Sequence, residues 1–414
     1  MSGRWVITWA SSQQPATPEN LPPAPFTRDG IALVDCTLRQ TVRLSAGGAR
    51  LRVRLANSFG RRPIAVTAGS LAHPVGGLAG AAAIRRETSR PLTFDGSRSV
   101  TLPAGARVVS DPVVFEAAPA TNLSVTVHLA DGQATTGLTC HPGSRTTSHL
   151  CRGRHVEAQH LPGAVATEHW YLLDGIETWA PEGLAAVVVL GDSLTDGRGS
   201  TTDGNDRWPD RLVDRLLGRS GPARGAVDPA VVNLGTGGSR VLLDGIGPSA
   251  LSRLDRDVLD QEGIASLVVF HGVNDIGTAE AAVEEQARVT ADLVGAYQEI
   301  VDRARARGIR VHGATLLPFG GNDPYDDPAG RREATRQAVN AWIRGSDRFD
   351  AVIDFDRVVR DRARPGRLRA DVDSGDHLHL NPVGYRMLAD AVPLRLLDHR
   401  LAAPDPGDGA GAVG

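Results

Sequence analysis

Five residues between positions 193 and 379 are of the types that acyl transfer requires. Ser193 lies in "GDSLTDG", directly after an apolar run, and a serine hydroxyl becomes a nucleophile only when a base takes its proton. The segment "DSGDHLHLN" supplies a base: Asp376 and His379 stand three residues apart. On a tight loop or helical turn that spacing brings a carboxylate to the imidazole Nδ1–H and leaves Nε2 to face Ser193. His377 is adjacent to Asp376 and less able to turn back on it, so His379 is the expected base. A developing oxyanion also needs donors. The candidates are the backbone N–H of Ser193, that of Gly235 in "NLGTGG", and the side-chain amide of Asn274 in "GVND". At position 235 the missing Cβ would let a substrate approach the backbone closely.

These residues need a scaffold, and the second half of the chain predicts one. Apolar segments at 184–190, 230–235, 266–272, 309–318 and 351–356 alternate with helical patterns, the longest over about 279–307. Strands with crossover helices predict a parallel sheet covered on both faces, with ligands at the carboxyl ends of its strands. Ser193, Gly235 and Asn274 follow the first three strands. Asp376 and His379 follow the fifth and precede a last helix after Asn381. Two loops exceed the usual length and are expected at the same rim: Thr195 to Asp206, read as solvated, and Phe319 to Gly330, which carries Phe319 and Tyr325. Trp208 is assigned to the helix–sheet core.

The first half has a different rhythm. Segments such as "WVITW", "LRVRLA" and "NLSVTVHLA" alternate or are β-branched, and Gly, Pro and Asp clusters break them, which is the signature of a sandwich or barrel. In "LRVRLA", Leu51, Val53 and Leu55 share one face and Arg52 and Arg54 the other, predicting a sheet with one wet side. His141 and Arg145 in "CHPGSRTTS" could reach the site from the β domain, but a surface turn is the expectation. The expected division is a β domain over 1–178, an α/β domain over 184–400 and a disordered tail over 401–414.

Structural roles compete for each of these residues. Gly-Asp-Ser could be an Asx turn, Gly235 a turn glycine, and Asn274-Asp275 a helix cap. Asp373, Asp376, His377 and His379 also have the types of metal ligands, but no His-x-x-x-His helix completes a site, and no metal is expected. The commoner hydrolase signature G-x-S-x-G fails because position 195 is threonine.

Taken together, "GDSLTDG", "NLGTGG", "GVND" and "DHLH" stand in the order of the four blocks of the GDSL or SGNH hydrolases, and the chain resembles that superfamily over residues 187–385. The resemblance implies a flavodoxin-like three-layer fold with Ser193 as nucleophile, His379 as base and Asp376 orienting it. Gly235 and Asn274 would help to form the oxyanion hole. More loosely, "WVITWASSQQ", "LRVRLANSFG" and "HPGSRTTS" are similar to bacterial GDSL esterases with an amino-terminal β domain, some of them grouped with xylan-degradation genes. The expectation is therefore a serine esterase that needs no cofactor and acts on a small-molecule or saccharide ester. Aromatic residues make up only 4% of the chain, which points to a short acyl group. Two readings stand beside it. In one, the same acyl-enzyme tailors a natural product by acyl transfer; in the other, a glycan-binding β domain accompanies an idle hydrolase half.

The totals agree with a globular enzyme. A formal charge of -3 gives no sign of a nucleic-acid or anionic-membrane partner, and every basic residue is arginine. No apolar run approaches the ~18–20 residues of a membrane span. The first residues lack the shape of a signal peptide, so the expected location is cytoplasmic, or secreted if a leader has been removed. Cys36, Cys140 and Cys151 form no zinc or disulfide framework; Cys140 and Cys151 could pair in an oxidising compartment, and free thiols are the expectation.

Overall fold

The computed structural model describes residues 3–181, 183–219 and 227–398; the segment 401–414 read as a disordered tail lies outside them. The amino-terminal half is all-β. Its principal strands are β1 (Gly3–Ala10), β2 (Ile31–Arg43), β3 (Gly48–Ala56), β4 (Ile64–Ala72), β5 (Val113–Ala117), β6 (Asn122–Ala134), β7 (Thr139–His141), β8 (Ser148–Arg152) and β9 (Leu173–Pro181). Antiparallel pairing runs β1–β9–β3–β5 in one sheet and β8–β2–β6–β4 in another. Period-two alternation sends Leu51, Val53 and Leu55 of β3 into one core with Leu38, Val125, Val127 and Ile176. The two sheets thus pack face to face as a sandwich. Cys36, Cys140 and Cys151 are buried free thiols, and burial pushes Cys140 up to about 12.

The other face of β3 is not wet, contrary to the expectation from its arginines. Arg54 is buried and pairs with Asp174 at 3.0 Å and Glu177 at 3.2 Å. Arg52 pairs with Glu177 and reaches Glu262 of the second domain at 3.8 Å. A polar strand face marks contact with something polar, and here that includes protein.

The carboxyl-terminal half holds parallel strands β10 (Ala186–Gly191), β11 (Ala230–Gly235), β12 (Ile264–Phe270), β13 (Arg310–Ala314) and β14 (Ala351–Ile353). Their order, β11–β10–β12–β13–β14, is the flavodoxin-like 2-1-3-4-5 arrangement. Central strand β10 shows no alternation, because helices cover both faces and Val187, Val188, Val189 and Leu190 are all fully buried. The helices are α1 (Ser193–Asp196), α2 (Trp208–Leu217), α3 (Ala250–Leu254), α4 (Val273–Thr278), α5 (Val283–Arg305), α6 (Arg331–Gly345), α7 (Phe355–Val359) and α8 (Pro382–Ala391). Helix α5 buries Val289, Leu293, Ala296, Tyr297, Ile300, Val301 and Ala304, a stripe at helical spacing. Its first turn carries Glu284 and Glu285 and its last Arg303 and Arg305, matching the helix dipole. Trp208 packs edge-on against Phe270 and Phe355 in the core. Among the described residues no helix is long and apolar enough to cross a membrane.

The halves are joined by buried contacts as well as by chain. Val6, Ile7 and Ala10 of β1 belong to the α/β core, and the Ile7 N–H donates to the Glu262 carbonyl at 3.0 Å. Beneath the strand tips, Arg253 donates to the carbonyls of Gly191 and Leu234, both at 2.9 Å, and to the Ser12 hydroxyl at 3.0 Å. It also pairs with Asp257 at 3.0 Å. One guanidinium therefore ties the ends of β10 and β11 to the β domain.

Candidate active site

Helix α1 begins where β10 ends, so the strand delivers Ser193 to the rim. Asp192 caps the helix by accepting from the Leu194 N–H at 3.0 Å. Only glycine fits at 191, because a Cβ there would lie 2.3 Å from the Thr195 hydroxyl. Burial, aided by the nearby Asp275 carboxyl, pushes Asp192 up to about 7. Gly197 closes the single turn in the left-handed conformation.

The loop before α8 carries the expected base. His379 Nε2 lies 2.7 Å from Ser193 Oγ, and its Nδ1 lies 2.6 Å from Asp376 Oδ2. The other Asp376 oxygen accepts from the backbone N–H groups of His379 at 2.8 Å and Leu378 at 3.1 Å. Burial would raise Asp376, but these donors and the His379 ring hold it well below the usual carboxylate range. Burial lowers His379; Asp376 opposes that, and the charges of Arg198 and Arg145 add to it. The imidazole is thus neutral near pH 7, with its Nδ1–H on Asp376 and its Nε2 lone pair toward Ser193. His377 forms a separate pair with Asp373, also at 2.6 Å, on an exposed stretch of the loop. Among the described residues no three His, Cys, Asp or Glu side chains are grouped to hold a metal.

Asn274 enters at the start of α4, after β12. Its amide nitrogen donates to the Ser239 carbonyl at 2.7 Å, and its oxygen accepts from the Tyr325 hydroxyl at 2.7 Å. With the oxygen occupied, the amide presents nitrogen to its surroundings, and one of its two N–H groups remains for a ligand. Tyr325 comes from the Phe319–Gly330 loop and lines the cleft, whereas Phe319 is buried beneath it.

Gly235 is the residue whose expected position needs correction. It is the last residue of β11 and pairs in register with Gly191, and its N–H donates to the Asn233 side chain at 2.9 Å. A Cβ there would sit 2.2 Å from the backbone nitrogen of Asp196, so this glycine allows α1 to pack on the strand and does not line the cleft. The cleft is reached two and three residues later, at Gly237 and Gly238. The signal was available: Ser193 also stands two residues past its strand's last glycine.

The β domain supplies a wall that the sequence reading placed on the surface. His141, from β7, lies 3.0 Å from Asp196 Oδ1 through Nε2 and 2.7 Å from the Ser12 carbonyl through Nδ1. Arg145, in the β7–β8 loop, lines the cleft itself. The Thr195–Asp206 loop docks onto this segment rather than standing free in solvent: Asp203 donates its N–H to the Arg145 carbonyl at 2.9 Å and accepts from the Thr147 N–H at 2.7 Å and hydroxyl at 2.8 Å. The result is a cleft of about 480 Å³ bordered by Ser193, His379, Asp376, Asn274, Gly238 and Arg145.

Comparison with known proteins follows this geometry. Residues 189–387 match the model of the GDSL-like lipase/acylhydrolase family. Among solved structures, a protein from Desulfitobacterium hafniense DCB-2 assigned to the G-D-S-L lipolytic family is 20% identical, covering 50% of this chain and 97% of its own, with a TM-score of 0.36. The acetyl xylan esterase AlAXEase is 19% identical over 50% of this chain and 96% of its own, also at 0.36. A GDSL-like lipase from Bacteroides thetaiotaomicron VPI-5482 is 17% identical over 52% and 88%, again at 0.36. No curated protein sequence matches significantly. The carboxyl-terminal half of this chain is a GDSL-like lipase/acylhydrolase domain, a hydrolase domain joined to a β-rich amino-terminal one.

Proposed function

We propose that the chain is a serine esterase acting on short-chain esters of polar alcohols. The observation that carries this is the unbroken relay from Ser193 Oγ to His379 Nε2 at 2.7 Å and from His379 Nδ1 to Asp376 at 2.6 Å. Ser193 Oγ attacks the ester carbonyl while His379 takes its proton. The tetrahedral intermediate places its oxyanion on the N–H of Ser193, the N–H of Gly238 and the Asn274 amide. Collapse breaks the bond to the alcohol oxygen, which receives the proton from His379. Water, deprotonated by the same imidazole, then attacks the acyl-Ser193 ester and releases the acid. Gly238 replaces Gly235 in this scheme, because it is Gly238 that faces the cleft.

The cleft's Arg, Asn and Asp side chains favour a polar alcohol, and carbohydrate O-acetyl groups fit that description. An idle hydrolase half beside a glycan-binding domain is disfavoured by the relay. The test is hydrolysis of 4-nitrophenyl acetate by the wild type and by Ser193→Ala, with circular dichroism to check folding. A loss of at least about 10³-fold in kcat is expected, with a wild-type acyl adduct on Ser193 seen by mass spectrometry. Equal rates in the two proteins would remove Ser193 from the mechanism.

A further inference from the structure

Two guanidinium groups stand beside the base with too little to bind. Arg145 comes from the β domain and Arg198 from the segment after α1, and both line the cleft that holds Ser193 and His379. Their backbones are fixed. The Arg198 N–H donates to the Ser193 carbonyl at 3.0 Å and its own carbonyl accepts from the Tyr385 hydroxyl at 2.5 Å. Arg145 is held by Asp203 in the left-handed region, at φ 49. Their side chains are not comparably satisfied. Among the described residues the Arg198 guanidinium makes no hydrogen bond or ion pair. Arg145 Nε is buried without a partner, and its nearest carboxylate oxygen, on Asp196, is 3.9 Å away. His141 engages Asp196 Oδ1 at 3.0 Å; the other oxygen, Oδ2, faces Arg145 across those 3.9 Å and makes no hydrogen bond. Of the carboxylates at the cleft, Asp376 is committed to His379 and Asp323 is exposed at the rim.

The position of the two cations says which part of a substrate they meet. Both charges act on the His379 ring, the group that protonates the departing alcohol. Asn274 and Gly238 mark the oxyanion side of the carbonyl. We propose that Arg145 and Arg198 form an anion subsite for the alcohol half of the ester, so that the preferred substrates are acyl esters of alcohols bearing a carboxylate or a phosphate. This rests on the esterase reading. Arginine suits the task because its planar fork binds such oxyanions in pairs of hydrogen bonds. The β domain then acts in substrate selection by lending one half of the subsite.

The test compares esters that differ in charge. For 4-acetoxybenzoate against its methyl ester, the wild type should show a kcat/KM preference of about tenfold or more for the anion, after correction for spontaneous hydrolysis. That preference should shrink as ionic strength rises from about 0.02 M to about 0.5 M. It should fall in Arg198→Gln, an exposed position where folding is not at stake, and vanish in Arg145→Gln/Arg198→Gln. No preference in the wild type, or one that survives the double substitution, overturns the subsite. Preference for 4-nitrophenyl glutarate monoester over 4-nitrophenyl butyrate would move the anion to the acyl half and overturn the assignment as stated. If neither acetoxy ester is turned over, the esterase reading fails separately. Calorimetric binding of 4-hydroxybenzoate to Ser193→Ala then decides the subsite: binding weakened about tenfold by Arg198→Gln upholds it, and absent or indifferent binding overturns it.

Discussion

Two Asp–His pairs flank Ser193, one half-buried and one buried, and they are built for opposite purposes. His379 bonds Asp376 through Nδ1 and offers Nε2 to a hydroxyl, so one ring nitrogen donates and the other accepts. His141 meets an acceptor with each ring nitrogen, the Ser12 carbonyl at Nδ1 and the Asp196 carboxylate at Nε2. Burial would raise Asp196, but His141, Arg145 and Arg207 outweigh it and hold the carboxyl below its ordinary value. The first pair keeps a lone pair free; in the second both nitrogens face acceptors. What separates a base from a clasp is the partner of the second nitrogen, since the Asp–His contact is common to both.

That contrast can be broken by substitution. Asp376→Asn should lower kcat by about 10⁴ with little change in Tm, because the amide favours the wrong imidazole tautomer while keeping the shape. A similar loss of Tm would mean that Asp376 serves folding more than chemistry. His141→Ala should do the reverse, costing about 3–5 kcal/mol of stability by leaving the Asp196 carboxylate buried without its partner. Urea denaturation measures it, and a change below about 1 kcal/mol would show that the clasp carries little.

The pairs also differ in pH response. For His379 the active form is neutral and its value is lowered, so kcat/KM should rise with pH along an acid limb centred below the ordinary imidazole value of about 6.5. Arg198→Gln should move that limb upward by removing a charge that disfavours the imidazolium. A limb centred above pH 7 would contradict the burial of the ring. For Asp196 the folded value is depressed, so its stabilisation is present above the unfolded value near 4 and lost as pH falls below it. Melting curves of the wild type and His141→Ala should converge at the acid end. The smallest effect is expected at the third pair: His377→Ala removes an exposed contact with Asp373 and should change stability by about 0.5 kcal/mol or less.

The sequence displayed one side of this cleft and concealed the other. Ser193 and Asn274 were readable because parallel strands deliver residues at their carboxyl ends, which hydrophobic runs mark; Asp376 and His379, more than twenty residues past β14, were readable from their own three-residue spacing. Gly235 was misplaced for the same reason, since a glycine still paired within β11 looks like one just beyond it. His141 and Arg145 were not readable. Their contacts with Asp196 span more than fifty residues, three principal strands included, and depend on how two cores meet. The arginines of β3 were legible as a polar face, but alternation states only that a face is polar. It does not tell water from a neighbouring domain.

The hydrogen bond from Ile7 to Glu262 has a consequence for how the chain is made. Strand β1 pairs with β9, whose residues lie some 170 positions further on, and its apolar side packs into the core of the α/β half. During synthesis this strand emerges long before any of its partners. Its α/β-facing side is not fully covered until residue 262 has left the ribosome, more than ten seconds later at ordinary elongation rates of about 5–20 residues per second. Until then the sides of Val6 and Ile7 that join the α/β core wait incompletely covered on the nascent chain, a window in which a holding chaperone would have its binding site.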